Sequence, residues 1–252
     1  MIVDAHAHLG FDEVFDEDFT EADLLDSQQR NGIDVTLVQP ALVHDRATVM
    51  QYHDKIADLA ARYPGRFYGI ANPNPHLPDD EYVHEIERCL HELHFVGIKL
   101  HPFAHAVNPG GRHGRRVFAL AAEYGVPIIV HSGPGLPWSN PALLAPLAEE
   151  YPQLSIIVAH AGGSICVGEA GVLAERYPNV YLEPSWTGGF HVKGWITHLG
   201  AERMLLGSDH ADNAATELTK FRTIGLNDEE LAWILGKTAV KLFALETVGE
   251  RR

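Results

Sequence analysis

The sequence predicts an α/β fold of the (β/α)₈ barrel type with an additional C-terminal helix. Three observations point there. Eight short β-branched runs recur along the 252 residues, amphipathic helical stretches separate them, and no glycine-rich phosphate loop follows any strand. Strand–helix alternation implies a parallel sheet with right-handed crossovers, and eight such units usually close into a barrel. An open doubly wound sheet would normally carry the missing glycine-rich loop.

Strands are expected at 2–9, 34–40, 67–72, 95–101, 127–132, 155–160, 180–185 and 204–209. Helices are expected at about 21–31, 45–63, 79–93, 113–124, 140–150, 164–176, 190–199 and 213–223. Residues 227–245 read as the last helix, with Asn227 as N-cap, Glu230 completing a capping box, and Leu231, Ile234, Leu235, Leu242 and Phe243 on one face to pack against the barrel. No composition shift or linker divides the chain, which reads as one domain over 1–252.

Composition narrows the function classes. A formal net charge of −15 argues against nucleic acid and anionic membrane surfaces as partners. No apolar run is long enough to span a bilayer. Strand-like sequence already begins at Ile2, so no signal peptide is expected. Cys89 and Cys166 are the only cysteines, make no disulfide framework, and suit a reducing cytoplasm.

The chemistry gathers at strand ends. Asp4-Ala-His-Ala-His8 lies in the first apolar run, and strict alternation puts Asp4, His6 and His8 on one face, two imidazoles forming a pincer for a divalent metal. Further strands end in Lys99-Leu-His101, His131-Ser132, His160-Ala-Gly-Gly163 and Ser208-Asp209-His210. Active sites of such barrels lie at the C-terminal ends of the strands. Ionisable groups closing apolar runs need partners, and a shared metal supplies them. Of the 16 histidines, His84, His91 and His94 fall on a helix and read as solvated.

These segments, with Gly97-Ile-Lys-Leu-His-Pro102, Gly125-Val-Pro-Ile-Ile-Val-His-Ser-Gly133, Tyr177-Pro-Asn-Val-Tyr-Leu-Glu183 and Gly200-Ala-Glu-Arg-Met-Leu-Leu-Gly-Ser-Asp209, resemble the amidohydrolase superfamily. The branch they resemble contains aminocarboxymuconate-semialdehyde decarboxylase and many metal-dependent hydrolases. The resemblance implies His6, His8 and His131 as metal ligands, Asp209 as fourth ligand and proton shuttle, and His160 beside the reacting water. It implies one Zn²⁺ per chain, with Mn²⁺ or Fe²⁺ as alternatives, and allows a homodimer. In binuclear superfamily members a carboxylated lysine occupies the position of Lys99. The reading preferred here is a free ammonium pairing with Asp209 or an anionic substrate group.

Softer candidates for contacting a small-molecule substrate are His101, Arg46, Arg112, Trp138 and Trp186, with Phe190 as a further roof residue and Asn72 and Glu183 as orienting groups. Asp4 reads as an outer acceptor for a ligand or as a polar anchor. The expected activity is hydrolysis of an amide, ester or lactone by metal-activated water. One alternative is non-oxidative decarboxylation of an unsaturated or aromatic acid, which needs a cation for the carboxylate. The other is a non-catalytic metal-binding barrel.

Overall fold

A computed structural model describes residues 1–135 and 137–245. Seven parallel strands follow one another in sheet order: β1 (Val3–Asp12), β3 (Val35–Pro40), β4 (Phe67–Ala71), β5 (Gly97–Leu100), β6 (Ile128–His131), β7 (Ile156–Ala159) and β8 (Val180–Glu183). The expected strand over 204–209 closes the ring with sparse pairing. Leu205 N–H donates to Leu182 O at 3.0 Å, Ala5 N–H to Leu206 O at 2.9 Å and Asp209 N–H to His6 O at 2.7 Å. Single bridges Leu182–Met204 and Ala7–Asp209 join it to both neighbours. The molecule is therefore an α/β barrel, as the alternating pattern predicts.

Around the ring lie α1 (Glu21–Asn31), α2 (Arg46–Arg62), α3 (Asp79–Glu87), α4 (Arg112–Tyr124), α5 (Ala145–Glu150), α6 (Val167–Arg176), α7 (Gly189–Leu199) and α8 (Ala214–Thr223). Three expected helices are broken more finely than periodicity suggests. The 79–93 stretch ends in a π-helical turn at Arg88–Glu92, and 140–150 begins as a 3-10 turn at Pro141–Leu144, where proline restricts the backbone. The last helix consists of α9 (Asp228–Ala232), a π turn at Trp233–Lys237 and α10 (Thr238–Leu242), with the Asn227–Glu230 capping box in place.

Two apolar layers result from strand alternation. The inner one contains Val35, Leu37, Ile129, Ile157 and Leu205, and it is plugged at the bottom by Ala239, Phe243 and Leu245. The outer one packs Val38, Ile128, Val130, Ile156 and Val158 against the helices. The bottom is thus sealed and the chemistry is confined to the top rim.

Strand β1 corrects one expectation. Its register against β3 shifts between Asp4 and Ala7. Val3 and Ala5 belong to the inner layer, whereas Ala7 and Leu9 belong to the outer one. The bulge flips the alternation, so Asp4 does not share the face of His6 and His8. Asp4 instead accepts from Ser208 N–H at 2.9 Å, Ser208 Oγ–H at 2.6 Å and His6 N–H at 3.2 Å, bracing the closing seam.

A second addition is β2 (Glu17–Phe19), which pairs antiparallel with the end of β1 and folds back over the rim. Gly10 permits the bend: its φ is +116°, and a Cβ there would lie 2.5 Å from the Tyr52 ring. Asp12 fixes the hairpin by accepting from the N–H groups of Val14, Phe15 and Leu42. No helix among the described residues is long and apolar enough to cross a membrane.

Candidate functional site

At the top rim a cavity of about 360 Å³ opens over a floor of histidines. His6 anchors it. Its Nδ1 donates to Glu183 Oε2 at 2.8 Å, which leaves Nε2 facing the cavity. Glu183, at the end of β8, also accepts from Ser185 N–H at 2.7 Å, Ser185 Oγ–H at 3.1 Å and His160 N–H at 3.3 Å. Every partner is a donor, as an ionised carboxylate requires. Gly207 makes room for it, since a Cβ there would sit 2.6 Å from the Glu183 carboxyl carbon.

His160 is oriented through the same carboxylate. Ser185 Oγ, having donated to Glu183, accepts from His160 Nδ1 at 2.8 Å, so the His160 Nε2 lone pair is unspent. Burial pushes the His160 imidazole down to about 4 and holds His6, His101 and His131 well below their ordinary range. All four are neutral at physiological pH and present lone pairs.

Asp209 faces this group. Its Oδ1 lies 3.3 Å from His6 Nε2 and 3.2 Å from His8 Nε2, and its Oδ2 accepts the Trp186 indole N–H at 2.9 Å. Burial alone would raise its carboxyl, but the surrounding imidazoles of His160, His6 and His8 overcome that and hold it well below the carboxylate range. Asp209, Trp186 and His160 all carry positive φ, at 65°, 62° and 62°. Three strained non-glycine residues at one site are held there by its hydrogen bonds.

The donor set fits a divalent ion. One ligand atom each from His6, His8 and Asp209 lies within 4.8 Å of the others. In addition, both imidazole lone pairs face N–H donors. Lys99 Nζ lies 2.9 Å from His6 Nε2, and Gln39 Nε2 lies 3.0 Å from His8 Nε2. Gln39 Oε1 is buried without a hydrogen-bond partner. Two donors turned on two lone pairs show an electrostatic environment suited to a cation. His131 lines the same cavity but stacks on His101 with ring centroids 3.8 Å apart, and it stands outside the close trio. His6, His160 and Glu183 form an overlapping group, but His6 Nδ1 is already spent on Glu183, so that group is a brace.

The structure brings His6, His8, Lys99, His101, His131, His160, Trp186 and Asp209 to one cavity. Lys99 makes no ion pair with Asp209; its close contact is His6. Burial lowers the Lys99 ammonium to about 8. Arg46 and Arg112 do not reach the cavity. Arg46 pairs with Glu81 and Arg112 with Asp79, each at the first residue of its helix and with its side chain partly or largely exposed. Trp138 sits half-buried in a 3-10 turn and Phe190 is exposed, both away from the lining. Asn72 is buried and receives no ligand-facing position. Sequence reasoning missed Phe15, Glu17 and Phe19 as lining residues. Phe11, Phe15 and Phe19 are four residues apart, which does not match the period of a strand, so the sequence carried little sign of the hairpin.

Comparison with known proteins gives a consistent result. The family model described as Amidohydrolase matches residues 3–245. A curated 2-keto-4-carboxy-3-hexenedioate hydratase of Sphingobium sp. is 24% identical over 199 residues, covering 62% of this chain and 56% of that protein. The chain thus spans little more than half the length of that relative. The 5-carboxyvanillate decarboxylase of Sphingomonas paucimobilis superposes with a TM-score of 0.78 at 16% identity, covering 97% of this chain and 99% of that one. A dihydroxybenzoic acid decarboxylase of Polaromonas sp., solved with manganese and 2-nitroresorcinol, gives 0.72 at 18% identity, covering 98% of each chain.

These findings overturn the expected hydrolysis of an amide, ester or lactone, since the named relatives are decarboxylases and a hydratase. The physical error is identifiable. Hydrolysis was favoured because the rim has few arginines, only Arg46 and Arg112 being placed to reach a carboxylate, but the cavity contains a buried cation of its own, Lys99.

Proposed function

The chain belongs to the amidohydrolase family, and from that premise we propose that it is a metal-dependent, non-oxidative decarboxylase of a small aromatic or unsaturated carboxylic acid. The observation that carries this reading is the cavity itself: a floor of neutral histidines with one buried cation, walled by Phe15, Phe19, Phe103 and Trp186. Mn²⁺ or Zn²⁺ would be held by His6, His8 and Asp209, with His131 available from the same cavity. When bound, it supplies positive charge that draws electron density out of the acid.

The chain's own groups divide the remaining work. The aromatic walls hold a flat acid and exclude water from its face. Loss of CO₂ breaks a carbon–carbon bond, leaves the electron pair on carbon and requires a proton there. Asp209 is ionised at rest, so it takes a proton from a hydroxyl of the acid or from water, then delivers it to that carbon. Trp186 holds Oδ2 of Asp209 during both transfers. His160, fixed by Ser185, turns its Nε2 lone pair toward the acid and accepts a hydrogen bond from it.

The test is a panel of hydroxybenzoates and unsaturated acids incubated with manganese- or zinc-loaded protein, followed by mass spectrometry and CO₂ capture. Loss of 44 mass units supports the proposal. A second reading, hydration of an unsaturated keto acid, is favoured by the curated hydratase relative. Gain of 18 mass units without CO₂ would establish that reading in its place.

A further inference from the structure

We propose that the cavity admits an acid with a single carboxylate, seated at the floor beside Lys99 with its far end uncharged, and that Glu17 rejects a second carboxylate at the mouth. This deepens the decarboxylase reading and rests on it.

At the floor the deciding property is charge. Lys99 is the one lysine or arginine among the described lining residues, and it is 0% exposed. No carboxylate among the described residues lies within ion-pair distance of its Nζ; the nearby contact is the neutral His6 ring. Asp209 and Glu183 attract it only from beyond contact distance, so its burial stays costly, and an anionic ligand in contact reduces that cost. The arginines on neighbouring loops are already spent. Arg46 pairs with Glu81, while Arg112 and Arg116 both pair with Asp79. None is free to receive a second anion.

The mouth has the opposite character. Phe15 and Phe103 stack with centroids 5.9 Å apart and planes 18° apart, forming one flat wall. Trp186, 49% exposed, stands at the rim. Glu17 is placed among them by the hairpin, with its side chain 44% exposed. The nearest cation-capable group there is His210, and its Nε2 lies 3.5 Å from Glu17 and 3.6 Å from Asp209. That imidazole already faces two carboxylates. A second carboxylate on the ligand would therefore meet aromatic carbon and a like charge, with no cation to compensate. About 360 Å³ suits one ring with small substituents.

Calorimetric titration of manganese-loaded protein with benzamide, benzoate and isophthalate at fixed ionic strength tests this without turnover. Benzoate should bind at least tenfold more tightly than benzamide and than isophthalate. Lys99→Met should narrow the benzoate–benzamide difference at least threefold, the bound metal keeping the remainder. Glu17→Gln should narrow the benzoate–isophthalate gap three- to tenfold, and Glu17→Arg should reverse it. Glu17 is a partly exposed residue of a short edge strand, so its variants remain informative if Lys99→Met fails to fold. Isophthalate binding as tightly as benzoate to the unmodified protein, or Glu17 variants that leave the ratio unchanged, would overturn the inference. The expected selectivity without CO₂ from any acid would sink the decarboxylase reading alone. Selective binding lost while monocarboxylates and dicarboxylates both release CO₂ at equal rates would sink this inference alone.

Discussion

Two buried histidine–carboxylate pairs occur in this barrel at nearly the same distance: His6–Glu183 at 2.8 Å and His53–Glu85 at 2.7 Å. Each belongs to a trio of groups of metal-binding type. They differ in what the second imidazole nitrogen does. His53 Nε2 accepts the Asn72 N–H at 3.0 Å, and Glu85 also takes Arg88 Nε at 2.9 Å and Nη2 at 2.8 Å. That pair is closed, and it staples α2 to α3 beneath the end of β4. His6 spends Nδ1 on Glu183 and leaves Nε2 turned toward Asp209, His8 and the cavity. The same chemical unit is therefore a structural clamp in one place and a ligand holder in the other. What separates them is where the second nitrogen faces: a backbone N–H in the clamp, the cavity and the Lys99 ammonium in the holder.

The largest effect expected from that difference is on turnover. Asp209→Asn keeps the shape of the site but cannot carry the proton, so kcat should fall by on the order of 10³–10⁴-fold. Elemental analysis should find most of the metal still bound. Loss of metal in parallel with activity would show Asp209 to be chiefly a ligand.

Next come the paired carboxylates. Glu183→Gln removes the acceptor that fixes the His6 tautomer, and metal affinity should drop roughly 10–100-fold. Glu85→Gln takes the charged acceptor away from His53 and from half-buried Arg88, which keeps Asp54, and should cost about 1–3 kcal/mol of stability with metal affinity unchanged. Equilibrium dialysis and denaturant titration on both variants measure the two quantities. A drop in metal affinity for Glu85→Gln would erase the distinction between the regions.

Acid provides a third probe. Burial would raise the Glu85 carboxyl, but His53 and Arg88 hydrogen bonds bring it down to about 2 from 4.5. A depressed acid contributes stability that is fully present above the unfolded value and is lost as pH falls through the folded one. Unfolding free energy should therefore decline between pH 4.5 and about 2 by about 3 kcal/mol from this group. Glu85→Gln should flatten that part of the curve in denaturant titrations across the acid range.

The smallest effect belongs to the outer rim. Arg46 and Glu81 form a surface ion pair with side chains 41% and 36% exposed. Arg46→Ala should change stability by less than about 1 kcal/mol and leave CO₂ release intact. A clear loss of activity in that variant would return Arg46 to the substrate site.

Much of this was legible in the sequence because it depends on local pattern. Strand–helix alternation with a period near 30 residues requires a parallel sheet, and the apolar runs ending in His6, His8, Lys99, His131, His160 and Asp209 place those groups at one end of it. The capping box at Asn227 and Glu230 is equally local. Less legible was the hairpin that brings Phe15, Glu17 and Phe19 over the rim, since three residues of edge strand leave little periodic signal.

Other features were decided by tertiary structure alone. The bulge in β1 separates Asp4 from His6 and His8, and bulges arise from pairing with neighbouring strands, which alternation cannot reveal. Arg46 and Arg112 follow strand ends in sequence, yet they pair with Glu81 and Asp79. Glu183 and His6 are 177 residues apart, and Glu85 and His53 are 32 apart. The sequence by itself determined which residues stand at the rim, because strand period and chain order suffice for that. Which lone pairs are spent and which face the cavity depends on hydrogen bonds between distant segments, and these exist only once the ring has closed.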